Sequence, residues 1–351
     1  MSVKVTTKDF GSMPCGDKVY LYKIDNGKGM VAEIISFGAI IHRLYVPDRN
    51  GKIADVVLGR DTVEEYMEIA NCCADFIGRV ANRIKGAQFR IGDKVYNTEI
   101  NDHDYTKHSA SGNYAKKNFS GVTFEDEGIA GVKLSLRDNG EAGFPGGMDV
   151  SLTYSLDEDG NFKLFYEAMP EEDTPINFTN HVYFNLAGHD GGYVGDQILQ
   201  IDADFYMPNL IDSMPTGEIL AVKGTAMDFT KLKPMGEGFT SEDLQVQLIG
   251  GYDHNFCIRG FGMRRGGFAK DPASGRCLEF FTDMPGVQLY TAVHMKDDFK
   301  GKDNAIYQKL HSFCLETQNY TNAINFSQFP SMLYRAGEQF ESTTIYRFYA
   351  E

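Results

Sequence analysis

The stretch "MDVSLTYSLDEDGNFKLFYEAM", residues 148–169, decides the fold class. Each half alternates apolar and polar side chains with a period of two, the spacing at which a pleated strand sends them to opposite faces. Between the halves, Asp157 to Asn161 have the composition of a turn, so the whole reads as a β-hairpin. The same pattern recurs outward along the chain. "GMVAEIISFGAIIHRLYVPDRNGK" (29–52) holds two β-rich runs and a turn at Asp48, Arg49, Asn50 and Gly51. "RCLEFFTDMPGVQLYTAV" (276–293) repeats the hairpin scheme around Met284, Pro285 and Gly286, and "ESTTIYRFYA" (341–350) is a further strand. Helical periodicity is scarce: "TVEEYMEIA" (62–70) predicts one short helix with Thr62 as its cap. Many short strands separated by turns, without alternating helices, predict an all-β antiparallel sandwich or barrel rather than a βαβ fold. No Pro/Gly/Ser-rich linker divides the chain, so one domain over residues 1–351 is expected.

Bulk properties narrow the function. The 351-residue chain carries 34 Lys and Arg against 49 Asp and Glu, a net charge of −15. Such an excess repels phosphate backbones and anionic lipid, so neither nucleic acid nor membrane is expected as a partner, and a neutral or cationic small molecule fits better. The N-terminal "MSVKVTTKDF" lacks the charged start and apolar core of a secretory signal. No apolar run approaches the roughly 18 residues of a membrane helix. The six cysteines (15, 72, 73, 257, 277 and 314) form no CxxC pair and no zinc-site spacing, and the neighbours Cys72 and Cys73 are poorly placed for a disulfide. A reducing, cytoplasmic setting is expected.

Nucleotide-binding glycine loops, HExxH and GxSxG are all missing from the sequence. The closest histidines, His103 and His108, lack metal-site spacing. No cofactor and no metal are therefore expected. The positive signals are polar rows on apolar strands. In "NFTNHVYFNLAGH" (177–189), Phe178, Val182, Phe184 and Leu186 share one face, and Thr179, His181, Tyr183 and Asn185 share the other. In "SFCLETQNY", Phe313 and Leu315 oppose Cys314, Glu316 and Gln318. In "GVQLYT", Gln288 lies with Tyr290, opposite Val287 and Leu289; "GYDHNF" sets Asp253 between Tyr252 and His254, and "GRVANRIKG" joins Asn82 to Arg83. Singly, each has a plainer reading. A lone strand histidine is more often a surface or core residue than a catalyst, Glu316 could be an exposed strand carboxylate, "GYDHNF" could be a turn, and Asn82 and Arg83 could be structural. Spacing alone reaches a β-domain with a polar, possible saccharide-binding face.

Taken together and in order, these segments resemble the aldose 1-epimerase (galactose mutarotase) family. "FIGRVANRIKGAQF", "NFTNHVYFNLAGH", "GYDHNF", "PGVQLYT", "CLETQ" and the terminal "STTIYRF" follow the family's order from about Phe37 to Phe348. The family's usual His-Leu-His-Gly-Gly stretch here reads "TKHSAS" (106–111). Its second histidine aligns with His108, while Thr106 replaces the first and Ser109 and Ala110 replace the glycines. A tryptophan commonly follows in the family, and this chain has none.

The resemblance implies a large antiparallel sandwich of the galactose mutarotase type with few short helices, acting on free hexoses. It implies Glu316 as general base at the C1 hydroxyl and His181 as general acid at the ring oxygen O5. Asn82, Arg83, His108, Asp253 and Gln288 become sugar holders. One base and one acid on opposite sides suffice for ring opening, so no cofactor or metal is implied. A carboxylate beside His181 would raise the imidazole pKa toward the working pH. With no tryptophan, Phe and Tyr must supply any stacking surface. A small-molecule aldose is the expected partner, and the protein is expected to be a monomer or homodimer. The alternatives are a non-catalytic carbohydrate-binding protein on the same scaffold, an epimerase of a phosphorylated or larger sugar, and a polysaccharide hydrolase or lyase. A hydrolase would normally pair two carboxylates rather than Glu with His.

Overall fold

The computed structural model describes residues 2–68 and 74–351. Cys72, Cys73 and the last two residues of the predicted helical stretch, Ile69 and Ala70, lie outside the described residues. The 148–169 hairpin forms as read. Met148–Asp157 pairs antiparallel with Asn161–Pro170, in a register running from Met148 opposite Pro170 to Leu156 opposite Phe162. The turn closes on the Asp157 carboxylate, whose Oδ1 accepts from the amides of Asp159 and Asn161, while Gly160 takes the positive φ (83°) that the turn needs.

This hairpin sits inside a nine-stranded sheet. Its order is Ser120–Asp126, Ile129–Asp138, Met148–Asp157, Asn161–Pro170, Phe340–Ala350, Arg276–Thr282, Arg264–Lys270, Ile198–Ile201 and Lys233–Pro234. The C-terminal strand is thus built into the middle of the sheet. A five-stranded meander holds the N-terminal strands in chain order, from Lys4–Ser12 to Ile53–Asp55. A second five-stranded sheet has the order Leu220–Ala221, Ala203–Tyr206, Asp253–Ile258, Gly286–Tyr290 and Cys314–Gln318. One continuous apolar cluster takes Leu21, Ile34 and Leu44 from the meander, Leu152, Leu164 and Tyr346 from the large sheet, and Phe256, Leu289 and Leu315 from the third. The fold is the antiparallel β-sandwich that the strand pattern predicts.

One predicted hairpin does not form. Arg276–Thr282 pairs with 264–270 and 340–350, whereas Gly286–Tyr290 pairs with 253–258 and 314–318 in the other sheet. At Asp283–Pro285 the chain crosses between sheets instead of folding back. The crossing is pinned on both sides: Asp283 accepts from the Thr343 amide, and Arg264 donates to the carbonyls of Thr282 and Met284. Pro285, lacking an N–H, cannot continue the first ladder.

Among the described residues the α-helices are few and short, at Val63–Glu68, Gly236–Phe239 and Leu244–Ile249. Thr62 caps the first as expected: its Oγ1 accepts from the Glu65 amide, and Glu65 Oε2 accepts from the Asp61 and Thr62 amides. No helix among the described residues is long and apolar enough to cross a membrane.

Candidate active site

Three neighbouring strands of the third sheet supply one wall of a cleft of about 640 Å³. In their register Gln288 stands opposite Asn255 on one side and Glu316 on the other, and Tyr290 stands opposite Asp253 and Cys314. Paired residues of an antiparallel ladder share a face, so Asp253, Gln288, Tyr290 and Glu316 all reach the cleft. Val287, Leu289 and Leu315 turn the other way into the core. The period-two reading of "GVQLYT" and "CLETQ" therefore holds. "GYDHNF" is a strand from Asp253 onward and not a turn.

His181 arrives differently. Only Thr179–Asn180 of the 177–189 stretch is a strand, pairing with Phe76–Ile77, and Phe184 makes single bridges to Val57 and Phe313. The backbone on both sides of His181 is held by 74–75: its amide donates to Asp75 O and its carbonyl accepts from the Ala74 amide, each at 3.0 Å. Asn180 fixes the same place through Nδ2, which donates to Tyr154 Oη of the central hairpin and to Ala74 O. The expected apolar face is real, since Phe178, Val182, Phe184 and Leu186 all join the core. The polar row divides. His181 and Tyr183 line the cleft. Thr179 is buried away from it, and Asn185 spends its amide on the carbonyls of Gly192 and His311. Because this segment bridges two sheets instead of lying in one, alternation holds only across its middle.

The third group comes from the 82–83 corner and the loop before His108. Arg83–Ile84 pairs with Thr106–Lys107, which brings the "ANR" and "TKH" motifs together. Asn82 and His108 are joined twice. The His108 amide donates to Asn82 O, and the Asn82 amide donates to His108 Nδ1. With Nδ1 accepting, His108 is a neutral imidazole protonated at Nε2. Burial pushes its pKa well below the usual histidine value, and the charges of Lys107, His181 and Arg83 push the same way. Arg83 donates to Asp102 at 2.9 Å and to Ser213 O at 3.2 Å, so it is held as well as exposed to the cleft. All seven residues singled out in the sequence (Asn82, Arg83, His108, His181, Asp253, Gln288 and Glu316) line this one cleft, and all are buried.

The polar atoms are arranged to meet a ligand. Gln288 Nε2 donates to Asp253 Oδ1 at 2.7 Å, and His294 Nε2 stands 3.8 Å from Oδ2. Burial raises the Asp253 pKa, but His294, Arg83, Lys107 and Gln288 outweigh it and hold this carboxyl well below the usual range. Two buried oxygens, Asn82 Oδ1 and Gln288 Oε1, have no hydrogen-bond partner among the described residues. A buried acceptor without a partner is costly, and a sugar hydroxyl would satisfy it.

At the centre, His181 Nε2 lies 3.5 Å from Glu316 Oε1. The two stand side by side rather than across the cleft from one another. Tyr183 stacks on the His181 ring at 4.9 Å, Tyr290 meets it edge-on at 5.7 Å, and Cys314 Sγ lies 3.6 Å from Nδ1. Burial raises the Glu316 pKa well above the usual carboxylate value, and the Asp253 charge adds to this against Lys107 and Arg83. Burial also lowers His181, to about 4, assisted by Lys107. The expectation that a carboxylate beside it would raise the His181 pKa is not met: the cost of burying the imidazolium, with the Lys107 charge, exceeds the raising pull of a backbone hydrogen bond and of Asp253.

Four further residues of the site escaped the sequence reading. Lys107, where the family pattern has leucine, lines the cleft and acts on every titrating group described above. The departure from the motif was the available signal. His294 and Phe299 follow the Gly286–Tyr290 strand, and Arg60, just before the first helix, sets its guanidinium 3.9 Å over the Phe299 ring; no sequence pattern marked any of the three.

Comparisons with known proteins agree with this geometry. Residues 20–347 match the family model described as Aldose 1-epimerase. The chain is 38% identical to the galactose mutarotase of Homo sapiens over 98% of both chains. It is 29% identical to the aldose 1-epimerase of Haemophilus influenzae, over 95% of this chain and 97% of that protein. Among solved structures, an aldose epimerase homologue from C. elegans superposes with a TM-score of 0.86 at 28% identity, over 94% of this chain and 98% of that one. The galactose 1-epimerase of Lactobacillus acidophilus shares the fold with a TM-score of 0.89 at 24% identity, over 99% of both. A match across almost the whole chain, with its shared motifs gathered on one cleft, means that this protein belongs to the aldose 1-epimerase family.

Proposed function

We propose that the protein is an aldose 1-epimerase that interconverts the α and β anomers of free hexoses such as galactose and glucose. The observation that carries the reading is the buried pair His181 and Glu316, 3.5 Å apart at the centre of a cleft whose wall is otherwise hydrogen-bonding side chains. Mutarotation opens the C1–O5 bond, turns C1 about C1–C2 and closes the ring on the other face. Opening removes a proton from the C1 hydroxyl and delivers one to O5. Those two oxygens share one carbon, so an acid and a base standing beside each other can serve both, and opposite placement is unnecessary.

Burial disfavours charge on either member, so the pair holds one proton between them. In the tautomer with that proton on His181, the Glu316 carboxylate takes the C1 hydroxyl proton while His181 gives its proton to O5, and closure reverses both transfers, leaving the pair as it began. Asn82, Arg83, His108, Asp253 and Gln288 bind and orient the ring hydroxyls, with Tyr183 and Tyr290 as the aromatic surface against which the ring and His181 rest. One apolar cluster running from Val3 to Phe348 supports treating the chain as one domain. The absence of a disulfide at Cys15, Cys257 and Cys277 is in keeping with a cytoplasmic setting. The relatives do not favour the alternatives of a non-catalytic sugar binder or a phosphorylated-sugar epimerase.

The test is polarimetric. Freshly dissolved α-D-galactose, α-D-glucose and a reducing disaccharide are followed with and without the protein. Accelerated approach to equilibrium rotation is expected for at least the two hexoses, and no acceleration for any sugar would end the reading.

A further inference from the structure

We infer that His181, Cys314 and Glu316 together form a site for a borderline-soft divalent cation of the zinc type, which competes with sugar and holds the enzyme inactive. The inhibitory part rests on the proposed roles of His181 and Glu316. The metal site itself does not.

The donor set is nitrogen, sulfur and oxygen, one atom from each residue, and all three lie within 4.8 Å of one another. Tetrahedral zinc, with bonds of about 2.0–2.3 Å, places its ligand atoms roughly 3.3–3.7 Å apart. The His181 Nε2 to Glu316 Oε1 edge is already 3.5 Å, and Cys314 Sγ lies 3.6 Å from the other ring nitrogen. A single ion uses only one of those nitrogens. One edge of the tetrahedron is therefore preformed, and the third donor closes the remainder by a side-chain rotation of about an ångström.

Glu316 and Cys314 sit two residues apart on one strand face, and His181 is clamped by 74–75 and stacked on Tyr183, so the donors are held on rigid elements. His181 and Glu316 line the cleft and the fully buried Cys314 does not, so a fourth ligand would reach an ion held here from the cleft side. Three protein ligands plus an open position is the arrangement of an exchangeable zinc site.

Chemistry favours the same ion. The sulfur selects zinc or cadmium over magnesium or calcium. His181 is kept neutral by burial, which is the form that ligates. Binding exchanges protons for metal. The Cys314 thiol and the protonated Glu316 each lose H⁺ to buffer as the metal–sulfur and metal–oxygen bonds form. One dication then balances one thiolate and one carboxylate, removing the charge whose burial keeps Glu316 protonated. A cation held in this way consumes both members of the proton-transfer pair.

The experiment titrates the full-length protein with Cd²⁺ under reducing, chelator-free conditions while following thiolate-to-metal charge-transfer absorption. One band saturating at one equivalent is expected. Saturating galactose should weaken the apparent affinity, and Zn²⁺ but not Mg²⁺ should slow mutarotation. In Cys314→Ser the band should vanish, and the Zn²⁺ concentration that slows mutarotation should rise at least about 10-fold, the lower end for altering a metal's surroundings. A variant carrying Cys15→Ser, Cys72→Ser and Cys73→Ser should keep the wild-type response. Loss of the response in that triple variant, persistence in Cys314→Ser, or indifference to galactose would each overturn the inference. Should Cys314→Ser fail to fold, competition with galactose on the wild-type protein decides. A band that galactose displaces from a protein without mutarotase activity would retire the proposed function and leave the metal site standing.

Discussion

His181 and Glu316 are both taken out of water, and this decides what the pair can hold. Burial carries His181 down to about 4 and Glu316 up, so one proton resides on the pair across the neutral range. A second proton reaches His181 only as pH falls through about 4, and the acid limb of kcat/KM is expected there rather than near 6.5. A pH–rate profile checks this, and a limb near 6.5 would mean the imidazole is not desolvated in the working enzyme. Replacing Glu316 with Gln or His181 with Asn should each lower kcat/KM by at least about 10²-fold, the lower end for general acid-base groups. A variant keeping near-wild-type rate removes that residue from the chemistry. Lys107 lowers both members of the pair, so Lys107→Leu, which restores the family's usual residue, should move the whole profile to higher pH by up to about one unit. An unmoved profile would show that solvent screens the ammonium. Alternation on regular strands made Gln288 and Glu316 legible as cleft residues. Asn185 shares the polar row but not the cleft, because its amide is committed to Gly192 and His311, partners that no local pattern reveals.

At the scale of elements, the corner from 76 to 84 carries Asn82 and Arg83 and is held by a residue that does no chemistry. Arg79, 1% exposed, donates to Asp138 at 2.9 Å, to the carbonyls of Pro145 and Gly146, and to Thr174 Oγ1, and Tyr114 Oη donates to the same carboxylate. Breaking such a buried pair from one side leaves an unpaired charge, at a cost of about 3–5 kcal/mol. Arg79→Met should lose stability on that order in urea unfolding, with a matching rise in KM if the corner shifts. A loss under about 1 kcal/mol would mean that solvent reaches Asp138. The role of Arg79 was not legible, because its four partners lie 59 to 95 residues away along the chain. The 276–293 hairpin failed for a related reason. Both of its strands have the right alternation, but each pairs on both edges with other strands, in different sheets, and period-two patterning names a strand's faces without naming its neighbours.

Over the whole molecule, burial of histidine sets the response to acid. His181 and His254 are held at about 4, His42 at about 2, and His108 well below its ordinary value, each chiefly by burial. A depressed folded-state pKa means that the unfolded chain binds protons first, so this stability is present above about 6.5 and is lost as pH falls toward about 4. Each of His181 and His254 contributes on the order of 3 kcal/mol over that window, partly opposed by Glu316, whose raised pKa has the reverse sign. The melting temperature should therefore drop steeply between pH 6.5 and 4, and a flat calorimetric curve would contradict the burial of these rings. By itself the sequence determined the strand-rich class, the capped first helix, the inward faces of the regular strands and, through motif order, the seven cleft residues. These are local properties, fixed by side-chain period and turn chemistry within a few residues. The tertiary structure alone decided which strands pair, that His181 and Glu316 stand side by side, and that both are dry enough for their pKa values to move in opposite directions. Pairing, distance and desolvation depend on atoms brought together from remote parts of the chain, and no periodicity within a single segment encodes them.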